Sequence, residues 1–378
     1  MDSIKFAGGE MRNLVPKLPL TAICACVLLG ILVAGLWPFH APRNDVSWLS
    51  DGNGLLFGKH GSIASARPLE ADMSQTDNSC SLEIWLEPSQ IDSKGMVVAF
   101  YWPTSKIVSF ALRQYQNGLV LERESRGHAN PASSIYVGNV FRGPKPVLVT
   151  ISSGEAGTAV YVDGTLVRSA PDFKLVSRDL SGEFVVGSSP VTPYYWSGQV
   201  KGIAIYDRGL NAGEVLQDYA SWTGGWAASG RKDAAKSEGV IARYLFDEGK
   251  GNVVHNQVDS ATNLLIPERF FILHEQFLER PWDEFHPVRS YWKDVGINVA
   301  GFIPLGFFFQ MYFSVVGGAK RATRLTIALG FAVSLTIEVL QSFLPTRQSG
   351  MTDLFTNTLG TALGAMVCAW VLKRHELT

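Results

Sequence analysis

Apolar positions follow two patterns along the 378-residue chain: long unbroken runs toward both ends and short alternating runs between them. The runs Leu18 to Phe39, Val295 to Val316, Leu325 to Leu344 and Leu354 to Leu372 are each about 20 residues, long enough for a helix to cross a ~30 Å hydrocarbon core. They predict transmembrane helices at 18–39, 295–316, 325–344 and 354–372. Between the first and second lie Ser81 to Leu86, Met96 to Tyr101, Val108 to Leu112, Leu119 to Arg123, Val147 to Ser152, Ala159 to Val162 and Phe184 to Gly187. These segments are short, rich in β-branched and aromatic residues, and separated by Gly, Pro, Asn and Asp, which predicts strands of a β-sandwich or jelly roll. Asn117-Gly118 and Asp163-Gly164 each suit a two-residue hairpin loop with positive φ. No long amphipathic helix is expected among these strands.

Charge orients the helices. Lys320, Arg321 and Arg324 fill the loop after the second run, and Lys373, Arg374 and His375 follow the fourth; basic residues mark the cytoplasmic side. Residues 1–17, with Lys5, Arg12 and Lys17, form a cytoplasmic N-terminus in this reading, residues 44–267 an outside domain and residues 268–294 a connector. The first run is compatible with a signal peptide, but it ends in Leu36-Trp37-Pro38-Phe39 rather than in small residues, which favours a retained helix. Cys24 and Cys26 lie at the start of that run, the wrong end for lipidation.

Polar residues interrupt the membrane runs where they are costly. Asp294 and Asn298, Glu338 and Gln341, and Asp353 and Asn357 are pairs three or four apart, so each pair shares a helix face, and all fall in the outer leaflet. An ionised carboxylate at mid-membrane costs roughly 3 kcal/mol on insertion scales, so it needs a partner or a watery cavity. One cluster with Arg347 just outside is the economical expectation. Interhelical packing is one account, at about 0.6 to 2 kcal/mol per bond, with Arg347 neutralising Glu338. The number of polar groups drawn from three helices favours a functional site, which Gly301, Pro304, Gly306, Gly360 and Gly364 shape through close packing and a kink.

The run Asn298-Val-Ala-Gly-Phe-Ile-Pro304-Leu-Gly306, then Glu338-Val-Leu-Gln341-Ser-Phe-Leu-Pro-Thr-Arg347, then Asp353-Leu-Phe-Thr-Asn357-Thr-Leu-Gly360, resembles the VanZ-like family of small multi-pass membrane proteins. The Leu-Trp-Pro-Phe ending also resembles the end of that family's first helix, so the resemblance implies a four-helix unit split by a large insertion. It implies a location rather than a reaction. Within the insertion, the hairpin from Val160 through Asp163-Gly164, followed by Trp196 to Arg208 and Leu210 to Glu214, is similar to the laminin-G or concanavalin-A-like jelly-roll family. That likeness implies a domain that binds glycans or proteins, sometimes through calcium, or that serves as scaffold. Tyr244 to Gly251 resembles a segment that often opens such domains, yet here it follows the sheet; a rearranged strand pairing back onto the sandwich is one placement. The expected fold class is multi-domain, a concanavalin-A-like jelly-roll β-sandwich inserted into a four-helix transmembrane α bundle.

Composition narrows the chemistry. A net charge of −1 and 46% apolar residues argue against a nucleic-acid partner, which would call for a basic patch. Cys24, Cys26 and Cys368 sit in membrane runs and Cys80 is alone, so neither a disulfide framework nor a Cys/His zinc pattern exists, and no metal or cofactor is expected. His128, His255, His274 and His286 are scattered without ligand spacing. Asp163 reads as a turn former rather than a calcium ligand. Trp85, Trp102 and Trp196 read as core rather than sugar platforms. The adjacent Asp247 and Glu248 do not form a glycosidase pair, which needs two carboxylates facing across a bond.

Three functions fit. The first is a plasma-membrane (inner-membrane) protein of the bacterial envelope whose outside domain binds a glycan or protein. Its bundle forms a polar site from Asp294, Asn298, Glu338, Gln341, Arg347, Asp353 and Asn357 for a lipid-linked envelope or exopolysaccharide precursor, with membrane lipids as partners. The second is an enzyme on a polyprenyl-linked or glycolipid substrate, with Glu338 as acid or base and Arg347 on a phosphate. The third, lipid flipping, is disfavoured because four helices make a small pathway.

Overall fold

The computed structural model describes residues 17–70, 79–123, 133–192, 194–224, 238–274, 277–285, 287–317 and 319–376. Lys5, Arg12, His128 and His286 lie outside the described residues. The chain folds as two compact units, one of residues 41–274 and one of residues 1–40 together with 275–378.

The first unit is a sandwich of two antiparallel sheets. One runs β1 (Val46–Trp48), β2 (Leu55–Phe57), β13 (Gly198–Tyr206), β4 (Cys80–Pro88), β9 (Val147–Gly154), β10 (Gly157–Val162) and β11 (Thr165–Ala170), with β14 (Val240–Tyr244) also on β13. The other runs β15 (Val253–Val254), β16 (Leu264–Leu265), β3 (Ile63–Ser65), β12 (Glu183–Val186), β5 (Lys94–Trp102), β6 (Ile107–Tyr115), β7 (Gly118–Arg123) and β8 (Ser133–Val137). Alternation decides which residues meet between them: Leu82, Ile84 and Leu86 of β4 and Ile203 and Ile205 of β13 face Phe100, Phe110, Leu112 and Phe184 in one buried core. Trp196 is fully buried in this core, its indole N–H donating to Gln114 Oε1 at 2.7 Å.

Four local outcomes match, refine or add to what the sequence predicts. The Asp163-Gly164 turn closes β10 to β11 with φ of 50° and 76°, the two positive angles that such a loop requires. At the other turn, Tyr115 pairs with Gly118, so the loop is Gln116-Asn117, with Gln116 at φ 53°, and Gly118 belongs to β7. Glycine is needed there for a different reason, since a side chain would run into the Val137 carbonyl and the Tyr136 ring. The segment after the sheet does pair back: β14 adds to β13, Gly54 donates to the Phe246 carbonyl at 2.9 Å, and β16 adds to β3. A 12-residue helix, α2 (Ala212–Thr223), lies between β13 and β14, its start fixed by Asn211 accepting from Gly213 and Glu214 while Glu214 reaches back to Asn211.

The second unit contains α1 (Lys17–Leu36), the single turn α3 (Pro281–Glu284), α4 (Arg289–Gly317), α5 (Ala319–Gln341) and α6 (Met351–Glu376). Four helices, Leu18–Leu36, Arg289–Gly317, Arg321–Gln341 and Met351–Arg374, are long and apolar enough to cross a membrane. The second begins six residues before its apolar run because Arg289 to Asp294 continue the helix. The third stops at Gln341, short of Leu344, where Pro345 disfavours helix in the residue before it. Small residues let α4 and α6 touch: side chains at Gly360 and Gly364 would collide with the Val299 and Ile303 carbonyls, and one at Gly306 with the Thr361 carbonyl. Gly301, in contrast, has open space. Phe302, Leu305, Val333 and Ile337 pack with Val27, Ile31 and Leu36 of α1.

Candidate functional site

The candidate site is built where α5 ends and α6 begins. Glu338 sits on the last turn of α5, 1% exposed, and its Oε2 accepts the Gly350 N–H at 2.9 Å. The Ser349 hydroxyl is its other hydrogen-bond partner. Asp353, on the first turn of α6, accepts from Asn298 Nδ2 of α4 at 2.7 Å. One turn deeper, Asn357 Nδ2 donates to Ser334 Oγ at 3.0 Å, and Asn357 Oδ1 is buried without a partner. The three helices are thus tied at two successive levels, α4 to α6 by Asn298 and Asp353 with Glu338 of α5 bonded to the residues just before α6, then α5 to α6 by Ser334 and Asn357. Ser334 lies four residues before Glu338 and Asn357 four after Asp353, so each helix presents one polar face.

Not every expected member joins. Gln341 donates to the Gly35 carbonyl at 2.8 Å, and the Arg347 guanidinium donates to the Trp37 carbonyl, so both tie the end of α1 to the α5–α6 loop. Asp294 is exposed on the first turns of α4 and, like Arg347, reaches Asp353 through its charge rather than through a bond. The described ion pairs include none between Arg347 and Glu338; Glu338 is held by neutral donors. That separates the two residues that a packing account would pair.

The connector supplies residues that the sequence reading left out. Glu279 runs alongside Gly350, its N–H donating to the Ser349 carbonyl at 2.9 Å while Met351 N–H donates to the Glu279 carbonyl at 2.9 Å. Glu284 accepts the Thr352 N–H at 3.0 Å and its hydroxyl, which caps the start of α6 with a carboxylate. Leu278 N–H reaches Ser349 Oγ at 3.3 Å. No local signal marked Glu284 as the cap of α6, because it lies 68 positions from Thr352.

The sandwich holds a second buried carboxylate that the sequence reading did not single out. Glu83 of β4 points away from the sandwich core, beneath α2, and is 0% exposed. Thr150 Oγ1, Tyr206 Oη and Trp222 Nε1 each donate to it at 3.1 Å. Burial, with the charge of Asp218 adding to it, pushes its pKa up to about 7. Gly202 leaves the space that the Trp222 ring fills. Among the described residues, no group of three or more His, Cys, Asp or Glu side chains is placed to hold a metal ion.

Other residues singled out by sequence have local partners. Asp163 Oδ1 accepts the Leu148 N–H at 2.9 Å, and Glu248 accepts both N–H and Nδ1 contacts from His255 at 2.7 and 3.0 Å. Trp85 packs on Trp222, and the His274 ring stacks on Tyr101.

Comparison with known proteins matches both parts. Residues 241–372 match the VanZ/LLP1 family model, and residues 58–216 match a laminin-G model of the concanavalin A-like lectin/glucanases superfamily. The chain matches no curated protein in sequence. Among solved structures it is similar to a candidate carbohydrate binding protein from Bacteroides ovatus, at 11% identity over 59% of this chain and 61% of that one, with a TM-score of 0.38. It is also similar to the binding domain of Paraclostridial Mosquitocidal Protein 1, at 12% identity over 48% and 47% with a TM-score of 0.35. A third is the SAP-like pentraxin of Limulus polyphemus, at 13% identity over 47% and 78% with a TM-score of 0.32. The chain therefore spans about half to three-fifths of the first two of these. The sandwich is defined by its own sheet pairing and by the family match, which agree. The chain thus joins a concanavalin A-like domain to a VanZ-like segment in one multi-pass membrane protein.

Proposed function

We propose that this is a protein of the bacterial plasma membrane whose sandwich lies outside the cytoplasm and binds an envelope glycan or protein. In this reading its helical unit presents an outer-leaflet polar site to a lipid-linked envelope or exopolysaccharide precursor. The observation that carries the membrane part is Glu338, buried among helices and held by a backbone N–H and a hydroxyl, with no ion pair to it among the described residues. A carboxylate kept only for packing is best matched by a guanidinium or ammonium, because removing charges from water is costly unless they are paired. The orphan Asn357 Oδ1 one turn away supports the same reading, since a buried carbonyl without a donor is uncommon. Sidedness rests on the basic residues Arg321, Arg324, Lys373 and Arg374 at the opposite helix ends.

A second reading is favoured by the same lack of a counter-ion: Glu338 acts as acid or base on a polyprenyl-linked or glycolipid substrate, with Asp353 beside it. Replacing the native copy with a Glu338→Gln variant tests both. Lipid profiling is expected to show a lipid-linked saccharide accumulating while the protein remains at normal abundance. An unchanged lipid profile with a fully functional Gln variant would overturn the polar-site reading. Phosphatase fused after Pro287 is expected to be active, and an inactive but stable fusion would overturn the sidedness.

A further inference from the structure

The outer face of the second sheet carries an exposed aromatic arrangement that neither the core nor the membrane unit uses. Tyr136 on the edge strand β8 is 46% exposed and Tyr115 at the end of β6 is 40% exposed, with ring centroids 6.2 Å apart and planes nearly perpendicular. Isolated exposed tyrosines need no explanation. This pair differs because one ring is fixed from beneath. The space that a side chain at Gly118 would occupy is filled by the Tyr136 ring, and Gly138 also lies against that ring. Two glycines, one in the neighbouring strand and one just beyond β8, therefore seat Tyr136 on backbone, and its far face is left to solvent. A flat ring held in this way loses little conformational entropy on binding.

Polar groups suited to hydroxyls rim the ring. Asn117 Nδ2 donates to Asn139 Oδ1 at 2.9 Å, and the Tyr136 hydroxyl lies 3.4 Å from Asn117 Oδ1. Among the described residues, these bonds leave the Asn139 Nδ2 donors uncommitted, and Asn139 is held at φ 57° in the turn that follows β8. On the other side, Lys94 Nζ sits 4.5 Å from the Tyr115 ring centroid, with Lys94 and Tyr115 directly paired across β5 and β6. An apolar aromatic face, a fixed amide pair and a nearby ammonium match the two surfaces of a pyranose, its C–H face and its ring of hydroxyls. An apolar protein partner would leave those amides without partners.

We propose that Tyr136, with Tyr115 at its edge and the Asn117–Asn139 amide pair at its rim, is the platform on which the sandwich stacks a saccharide ring. This rests on the glycan-binding reading of the domain and names the surface and the residues that would carry it. The test uses the full chain in detergent micelles on an array of defined bacterial envelope glycans. Wild type is expected to be retained on at least one glycan. Tyr136→Ala should weaken that retention at least tenfold, Tyr136→Phe should keep most of it because stacking survives, and Asn139→Ala should weaken it severalfold. Thermal melting of all three variants within a few degrees of wild type would exclude unfolding as the cause; if Tyr136→Ala melts early, Asn139→Ala, at an exposed turn side chain, carries the test. Wild-type retention unchanged in Tyr136→Ala and Asn139→Ala would overturn this platform while leaving glycan binding in place. No retention of wild type on any glycan would overturn both.

Discussion

Among the described residues each half of this molecule buries one glutamate, and the two are held in opposite ways. Glu83 in the sandwich receives three side-chain donors, Thr150 from β9, Tyr206 from β13 and Trp222 from α2, with Arg243 bonded in turn to the Tyr206 hydroxyl at 3.1 Å. Neighbouring strands bring these residues into one row, since Ala204 and Thr150 flank Glu83 in the register. Among the described residues, Glu338 in the helical unit is bonded to the Gly350 amide and the small Ser349 hydroxyl. A carboxylate whose lone pairs are taken by large, fixed side chains is part of the architecture, whereas one met by backbone and a hydroxyl keeps capacity for something else. The comparison is the ground on which a buried carboxylate is read as structure in one unit and proposed as a site in the other.

The largest effect that could break this contrast comes from matched substitutions. Glu83→Leu leaves a hydroxyl, a phenol and an indole N–H buried without their acceptor, at about 1 to 3 kcal/mol for each unsatisfied group. Some of that is recovered because the Tyr206 hydroxyl also lies 3.4 Å from Asp218. A net loss of about 3 to 4 kcal/mol is expected, and about 1 kcal/mol for Glu83→Gln, which keeps one acceptor oxygen. Cys80 reports on it directly, being buried at the start of β4. In a background with Cys24, Cys26 and Cys368 replaced by Ser, maleimide labelling of Cys80 should speed up by at least a hundredfold in Glu83→Leu. At Glu338 the order reverses: Gln should cost function and little abundance. Equal loss of abundance in Glu338→Gln and Glu83→Leu would erase the distinction.

A smaller effect should appear with pH. The Glu83 pKa lies near 7 in the fold, above its ordinary value of 4.5, so the folded state holds the proton more tightly. Its contribution is fully present below pH 4.5, where both states are protonated. It is lost as pH rises through 7, because the unfolded chain ionises first, and it stays flat above that. The facing groups, Asp218, Tyr206 and Arg243, share the pocket, and burial raises Asp218 as well. The stability difference between wild type and Glu83→Gln, followed by Cys80 labelling, should therefore shift against wild type by on the order of 3 kcal/mol between pH 4.5 and 8. A difference that does not change with pH would show that Glu83 is not the titrating group.

The two units were not equally legible in the sequence. The four membrane-length helices follow from run length alone, and the strands from short β-branched runs with turn dipeptides, because both signals are local. What escaped depended on distance along the chain. Asn298 and Asp353 were expected in one cluster, but the bond between them, across 55 positions, and that of Glu284 to Thr352, across 68, have no periodic signature. Shared helix faces were readable, as Glu338 and Asp353 show, but which neighbour each face meets was not: Gln341 turns to Gly35 rather than into the cluster. Glu83 escaped because a charged residue at an outward position of a strand ordinarily meets water, and only the later helix α2, with Trp222 over Gly202, covers it. Its start was marked by the Asn211 and Glu214 spacing.

The smallest effect tests whether the sandwich uses any carboxylate for a ligand rather than for its own fold. Asp163 is the sharpest case, because it stands in a hairpin turn of a domain class that sometimes binds calcium. Its backbone is at φ 50°, its own N–H donates to the Leu148 carbonyl at 2.9 Å, and its Oδ1 accepts the Leu148 N–H at 2.9 Å. Those bonds clip the turn to the start of β9. Asp163→Ala loses the acceptor and places an alanine in left-handed backbone, where asparagine and aspartate are better tolerated, so about 1 to 2 kcal/mol of sandwich stability should go. Asp163→Asn keeps the amide oxygen and the tolerance of that backbone, and should cost less than about 0.5 kcal/mol. Measured by Cys80 labelling, this ordering should be the same with millimolar calcium or with a chelator. If calcium instead slowed labelling in wild type and the Asn variant lost that protection, a sandwich carboxylate would be serving a ligand, and Glu338 would no longer mark the difference between the two units.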